Sequence, residues 1–284
     1  MARDPITSAF FAAMRTNFVV TRQLERVEKA LAGLTLAALT PRRMSDLTAR
    51  LYAARGSYHA HGLFPWEQDW FAADLPSPPA RLLIGGAGSG REVVALLAMG
   101  YEVVAFDPAA SYVAHAHAQV QHPGLLAFHC GAYEDLLTAE HGLADLIDGH
   151  GPYDAIILGW GSFTHMPVAA ERADLLRYLA KRCPAGPVLL SFWLRHARAS
   201  ERQTRAFALG WRLGSALTGR PPGDQPIEGD QVMARCGYGH RFTPAEIATL
   251  AASTDYVLSR APGPEQAYAH ATFKPSPRPS PSAP

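Results

Sequence analysis

Cysteine is scarce: there are three in 284 residues, Cys130, Cys183 and Cys236, far apart and with no C-x-x-C pair. A disulfide framework and a structural zinc site are therefore not expected, which suits a reducing cytosol. An excess of charge of either sign is lacking too. Lys and Arg number 26 against 25 Asp and Glu, a formal net charge of +1 with a pI near 7.8. No global field then draws the chain to nucleic acid or to an anionic membrane. No apolar run approaches the roughly 20 residues of a membrane span, and the opening MARDPITSAFF lacks the apolar stretch of a secretory signal. A cytoplasmic location is expected. The remaining composition, 48% hydrophobic and 18% charged, is ordinary for a soluble globular protein, and the length fits one large domain with a decorated terminus. Richness in Ala, Arg, Gly and Pro hints at a GC-rich bacterial genome.

The rest of the chain is organised around RLLIGGAGSGREVVALLAMGYEVVAFDP, Arg81 to Pro108. Arg81-Leu82-Leu83-Ile84 is a short apolar run, as in a strand buried on both faces. Gly85, Gly86, Gly88 and Gly90 follow. A helix is predicted from Arg91, with Val93, Val94, Leu96 and Leu97 buried and an end at Gly100. Tyr101 to Phe106 is a second buried strand, with Asp107-Pro108 at its carboxyl end. Ligands of such βαβ units bind outside the carboxyl ends of the strands.

A Cβ at Gly86 or Gly88 would keep the backbone away from a ligand, and the turn calls for positive φ. Asp107 is placed to accept hydrogen bonds from two ribose hydroxyls, a logic shared by nicotinamide enzymes and enzymes that use S-adenosylmethionine. The dinucleotide fingerprint is G-x-G-x-x-G. Here Gly86-Ala87-Gly88-Ser89-Gly90 is G-x-G-x-G, and Arg91 stands where the third fingerprint glycine belongs, a bulky residue that would hinder close helix–strand packing. No Lys-Ser/Thr pair completes a phosphate loop. A nucleoside without a pyrophosphate fits better.

On these residues the sequence resembles the class I S-adenosylmethionine-dependent methyltransferases. LLIGGAGSGREV is similar to their first motif, and Asp107 matches the acidic residue after their second strand. The resemblance runs in order from about Arg81 to Lys274. It implies an α/β fold with a doubly wound, mostly parallel, seven-stranded Rossmann-like sheet, an N-terminal helical extension and a helical insertion after strand 5. It implies S-adenosyl-L-methionine as cofactor, held by Gly85, Gly86, Ala87, Gly88, Gly90, Asp107, Pro108, Ala132, Tyr133, Gly159, Trp160, Gly161 and Tyr52. Two positions depart from the family pattern. Ile84 replaces the acidic residue often found near the methionine amine, and Ala132 replaces an Asp that often bonds the adenine amino group. Main-chain groups or Tyr133 could serve instead.

Residues 1–74 are expected to form a helical extension or lid. Ser8 can cap a helix with apolar Phe11, Met14, Phe18, Leu24, Val27, Leu31 and Leu34, and Thr40-Pro41 starts a second. Packing against the sheet is the plain alternative to a lid. Tyr52, Tyr58, His59, His61, Phe64, Trp66 and Trp70 crowd the end of this region, where aromatic residues can wall an apolar pocket. The catalytic domain is expected over 75–274, with 197–240 as a substrate cap or a peripheral insertion. Five prolines in PSPRPSPSAP mark 275–284 as a disordered tail.

Strands are expected at Leu125 to His129, Tyr153 to Leu158, Pro187 to Leu194, Tyr256 to Ser259 and Ala267 to Phe273. Gly159-Trp160-Gly161 would border the sulfonium, with Trp160 as an electron-rich wall. His165, His240 and Tyr58 are the candidate catalytic residues. For both histidines a structural role stands beside the functional one. Methyl transfer from a sulfonium needs chiefly proximity and alignment. An oxygen acceptor would want a base such as His165 or His240, and an amine acceptor need only be neutral and aimed. With no basic stripe and no N/D-P-P-Y motif, the expected acceptor is a small molecule or short peptide in bacterial specialised metabolism, with no nucleic acid, membrane or metal. Two alternatives remain. One is an enzyme that cyclises the aminobutyrate part of the cofactor and releases methylthioadenosine; the other is a non-catalytic cofactor-binding partner protein.

Overall fold

Apolar runs such as LLI, VVAF and AIIL have no polar face to show to water, so their strands need cover on both sides. The computed structural model describes residues 4–55, 62–138, 142–195, 201–219, 227–233, 235–254, 256–261 and 268–276. It sets β1 (Arg81–Gly85), β2 (Glu102–Asp107), β3 (Leu125–Cys130), β4 (Ala155–Leu158) and β5 (Val188–Leu194) in the parallel order β3-β2-β1-β4-β5. In register, Leu83 lies opposite Val104 on one side and Ile156 on the other. After β6 (Asp230–Met233) comes β7 (Gly237–Phe242), which joins the carboxyl end of β5 in parallel. The last strands, β8 (Tyr256–Arg260) and β9 (Tyr268–Pro275), form an antiparallel pair, and β9 runs antiparallel along β5. The path β3-β2-β1-β4-β5-β9-β8 is the mostly parallel, seven-stranded sheet that the resemblance implies, with β6 and β7 as additions.

Successive strand residues point to opposite faces, and each face has its own core. Leu82, Ile84, Val103, Ala105, Ala155 and Ile157 pack with α3 (Pro65–Asp74), α4 (Arg91–Ala98) and α5 (Ala110–Gln119), through Trp70, Val93, Leu96 and Val113 among others. Leu83, Val104, Phe106, Ile156, Leu158 and Leu190 pack with α6 (Leu143–Asp148), α7 (Ala169–Arg182) and α9 (Pro244–Ala252), through Ile147, Leu175, Leu179 and Ile247. The helix α9 starts on a Thr243 cap with Pro244 first and Glu246 reaching back to the Thr243 N–H. Between β5 and α9 the chain makes the strand β7, which is not among the strands expected from the sequence.

Trp66 and Trp70 lie on α3, a helix that the aromatic crowding concealed. Trp70 is buried and its Nε1–H donates to Thr272 Oγ1 at 2.8 Å. Its job is packing, and it does not wall a pocket. Pro65 opens α3, and Glu67 accepts from the Phe64 N–H at 2.8 Å, which is an ordinary helix start.

The chain divides into two compact units, Arg43–His196 with Met233–Pro284, and Met1–Arg42 with Ala197–Val232. The sheet belongs to the first; α2 (Pro41–Arg55) lies in it for most of its length. The second is built on α1 (Pro5–Ala38) against α8 (Glu201–Thr218). The cap of α1 is Asp4, whose Oδ2 accepts from the Thr7 N–H at 3.1 Å; Ser8 is already inside the helix. Asp-Pro supplies an acceptor and a pre-set φ together, so the helix begins earlier than Ser8. The helical periodicity of α1 holds, yet Phe11, Met14, Phe18, Leu24, Val27 and Leu31 are exposed and the buried positions are Gly33, Leu36 and Ala37. Glycine sets this contact. A Cβ on Gly210 would collide with the Ala30 carbonyl oxygen, and one on Gly214 would come within 2.6 Å of Ala37 Cβ.

Gly→Ala in an open helix stabilises by about 0.5–1 kcal/mol. Gly210→Ala should reverse that sign and destabilise the α1–α8 unit by about 1–3 kcal/mol, the usual cost of overpacking. Chemical denaturation followed by circular dichroism measures it; a stabilised variant would refute the close-contact account.

Candidate functional site

Turning from β1 into α4 within five residues forces the backbone through the left-handed region, where Gly86, Gly88 and Gly90 have φ of 65°, 56° and 93°. The turn is tied to the neighbouring strand. The Ala87 N–H donates to the Phe106 carbonyl at 3.1 Å, and the Gly88 N–H donates to Asp107 Oδ2 at 2.8 Å. The other oxygen, Asp107 Oδ1, accepts from the Ala109 N–H at 2.8 Å. Burial raises the Asp107 carboxyl to about 6 against the pull of these two N–H groups, so it is ionised at neutral pH.

Above this turn, at the carboxyl ends of β1 and β2, opens a cavity of about 340 Å³, within the range of small-molecule sites. Gly86, Ala87, Gly88, Asp107, Pro108, Ala132, Tyr133, Trp160, His165 and Tyr52 line it. Other predicted residues act beneath it. A Cβ on Gly85 would come within 2.7 Å of the Tyr133 ring, so this glycine makes room for packing. Gly90 is the cap of α4. Gly161 has φ of 77° and donates its N–H to Ser191 Oγ at 2.9 Å, which accounts for a buried serine in an apolar strand. Gly159 faces Glu92, whose carboxylate occupies the place a Cβ would take. Tyr58 lies outside the described residues.

The two histidines part company. His240 does not line the cavity: it is 1% exposed, sets its ring edge-on to Phe242 and has Nε2 3.7 Å from Glu246 Oε1. Its place on β7 turns it into the protein. His165 does line the cavity. Its Nδ1 lies 2.6 Å from the Tyr238 carbonyl, which can only accept, so Nδ1 carries the hydrogen. Nε2 is then the acceptor for the Tyr52 hydroxyl at 3.0 Å. Burial lowers this imidazole to about 4, although the Tyr238 bond opposes the shift. The result is a neutral imidazole with its lone pair directed to Tyr52.

Tyr133 is buried, and its hydroxyl shares a 2.6 Å bond with Ser162 Oγ. Burial drives its phenol upward, so it stays neutral. Trp160 holds φ of 37°, the left-handed region that a non-glycine residue seldom adopts. Its ring carries the Arg91 guanidinium 4.9 Å from the centroid. This cation belongs to the protein itself, which the sequence did not reveal.

Arg91 has the largest departure from expectation. It does not obstruct the helix start: its guanidinium folds into a buried cluster at the first turn of α4. Nη1 and Nη2 each lie 2.6 Å from a Glu67 oxygen, Nη2 lies 2.9 Å from Glu92 Oε1, and the Phe64 ring is 4.5 Å away. Burial and the neighbouring Glu67 raise Glu92 to about 8, although Arg91 pulls it down. Arg91 and Glu92 line the cavity, as do Ser45, Tyr112, Glu134, Ser162, Trp193 and Cys236. The signal for the first pair was their position directly after the glycine turn.

Among known proteins, no family model and no curated protein matches the chain. Solved structures do. The CcbJ methyltransferase from Streptomyces caelestis is 14% identical with a TM-score of 0.50, over 74% of this chain and 89% of that one. An S-adenosylmethionine-dependent methyltransferase from Clostridium acetobutylicum is 8% identical with a TM-score of 0.50, over 75% and 90%. The glycopeptide N-methyltransferase MtfA, complexed with S-adenosylmethionine, is 14% identical with a TM-score of 0.50, over 78% and 90%.

The chain has the class I S-adenosylmethionine-dependent methyltransferase fold.

In this methyltransferase fold the cavity lies where the sheet order reverses, between β1 and its neighbours β2 and β4. All three cysteines are free thiols. Among the described residues no helix is long and apolar enough to cross a membrane.

The lowered His165 has a consequence for stability. The unfolded chain takes up this proton near the ordinary value of 6.5 and the folded chain only near 4. Stability is therefore present above 6.5 and is lost as pH falls through that window, by up to about 3 kcal/mol. His165→Gln should flatten the wild-type decline in thermal midpoint between pH 6.5 and 4. An identical decline in both proteins would contradict the neutral, half-buried imidazole.

Proposed function

We propose that this protein is an S-adenosylmethionine-dependent methyltransferase that acts on a small molecule or short peptide in bacterial specialised metabolism. The carrying observation is the glycine turn joined to Asp107 at the mouth of a cavity. A Cβ on Gly88 would meet nothing within 4 Å, so this glycine's bare face is a cradle open to a ligand. Each Asp107 oxygen accepts one backbone N–H and keeps a lone pair for a ribose hydroxyl. Ala132 and Tyr133 at the end of β3 flank the adenine, and Trp160 borders the sulfonium. The net charge of +1 favours a small acceptor over a nucleic acid, and the scarcity of cysteine favours the cytoplasm. MtfA, named a glycopeptide N-methyltransferase, supports an acceptor of this class.

The cofactor, when bound, supplies an activated methyl group for in-line displacement. The chain supplies position and a route for one proton. An oxygen or nitrogen acceptor docks at the cavity face of Tyr52. As the acceptor is methylated its proton passes to the Tyr52 oxygen, and the Tyr52 hydroxyl proton passes to His165 Nε2. A base lowered to about 4 is weak, so the proton moves only as the acceptor becomes acidic in the transition state. The Tyr238 carbonyl holds the ring in the tautomer this requires.

Gly88→Ala should abolish cofactor binding at a stability cost of only about 1–2 kcal/mol, the strain of a left-handed alanine. Gly86→Ala, whose Cβ would run into Ser162, should unfold the turn itself. Equal loss of stability in both would remove the cradle argument. Asp107→Ala should weaken S-adenosylhomocysteine binding about tenfold or more, the loss of a charge-assisted bond; unchanged affinity in calorimetry would refute the ribose assignment. Incubation with S-adenosylmethionine and candidate acceptors, read by mass spectrometry, tests the reaction. S-adenosylhomocysteine is the expected product, and methylthioadenosine would replace methyl transfer with cyclisation of the aminobutyrate part.

A further inference from the structure

Buried charge is expensive, and a protein keeps it only where it is paired or used. Glu67, Arg91 and Glu92 are 1%, 7% and 4% exposed, the densest such cluster at the cavity. Part of it is a brace. Glu67 takes both terminal nitrogens of Arg91 and also the Phe64 N–H, and Arg91 Nη1 donates to the Gly62 carbonyl at 3.1 Å. Those bonds join the start of α3 to the start of α4. They do not use everything the cluster offers. The Arg91 Nε–H is buried and makes no hydrogen bond. Glu92 meets Arg91 through Oε1 at 2.9 Å, and its Oε2 lies against Gly159, the first residue past β4. A brace of two ions needs no second carboxylate.

The position of this surplus is informative. Among the described residues three acidic side chains line the cavity: Glu92, Asp107 and Glu134. Asp107 stands at the end of β2, and Glu134 accepts from Ser45 Oγ at 2.6 Å. The end of β1 offers only the apolar Ile84, buried in the sheet. Glu92 is thus the cavity carboxylate at the start of α4, with its Oε2 against Gly159 at the end of β4.

We propose that Arg91 and Glu92 recognise the α-amino-acid end of the cofactor, Glu92 accepting from its ammonium and the Arg91 Nε–H donating to its carboxylate. This rests on the cofactor reading above and adds to it the residues that hold the methionine end. The charges balance. With both carboxylates ionised the cluster carries one net negative charge, and S-adenosylmethionine carries one net positive charge. Without a cation, Glu92 facing Glu67 and Arg91 holds a proton at neutral pH. The arriving ammonium replaces that proton, which returns to solvent. Gly159 matters because any side chain there would displace the Glu92 carboxylate.

Calorimetry with two nucleosides tests the assignment. S-adenosylhomocysteine carries the amino-acid end and methylthioadenosine lacks it. Glu92→Gln should lower S-adenosylhomocysteine affinity at least tenfold and leave methylthioadenosine within twofold of wild type. Equal losses for both ligands would make Glu92 a structural residue and overturn the proposal, as would no loss for either. Should the Gln variant fail to fold, Glu92→Asp keeps the charge and must show the same selective loss. The wild type needs no variant: it should bind S-adenosylhomocysteine at least tenfold more tightly than methylthioadenosine, and equal affinities overturn the proposal by themselves. Tight methylthioadenosine binding with that outcome leaves the cofactor reading standing, whereas a wild type that binds neither nucleoside overturns both.

Discussion

The carboxylate of Asp107 is the tie on which the rest of the site depends. It accepts the Gly88 N–H from the turn after β1 and the Ala109 N–H from the start of α5. Two chain segments that cross the same strand ends are fixed by one side chain. Were it absent, the left-handed turn would keep only the Ala87 bond to β2, and the buried Ala109 N–H would lack a partner at a cost of about 1–3 kcal/mol. A group buried this deeply also resists ionisation, which is visible in its rise to about 6. The protein holds a charge where it is uncomfortable, at the point where ribose hydroxyls can satisfy it.

The same logic governs the opposite end of the cavity, with different chemistry. Glu67 and Arg91 neutralise each other and join α3 to α4, and Glu92 is left with a proton it would release to a cation. Between these two acidic ends lie neutral groups: Tyr133 held by Ser162, and His165 held by Tyr238 and Tyr52. A cationic ligand would meet carboxylates at its ends and uncharged polar groups along its length. Of the two described arginines that line the cavity, Arg55 and Arg91, the latter sets its guanidinium over Trp160 and Phe64 and pairs with Glu67, so its charge is largely spent.

How much of this was legible in the sequence follows from the range of each interaction. The glycine turn, Asp107 and the apolar strands were readable because their causes are local: positive φ, a short spacing, an uninterrupted run. The Arg91–Glu67 pair was not, since the partners are 24 residues apart and nothing in the spacing joins them; Arg91 read as an obstacle when it is an anchor. His240 looked like a pocket residue because β7 was not foreseen, and its burial follows from the pairing of that strand with β5. In α1 the helical period was right, yet the apolar side it traces is not the buried one. The contact is made by glycines at Gly33 and Gly210, which a hydrophobic pattern does not count.

A crystal structure of the protein with S-adenosylhomocysteine tests the central claim most directly. The account predicts the ligand in the cavity above Gly86 to Gly88, its ribose hydroxyls on the Asp107 carboxylate and its amine at Glu92. Ligand bound elsewhere, or bound there with Asp107 contacting no ribose oxygen, would contradict it.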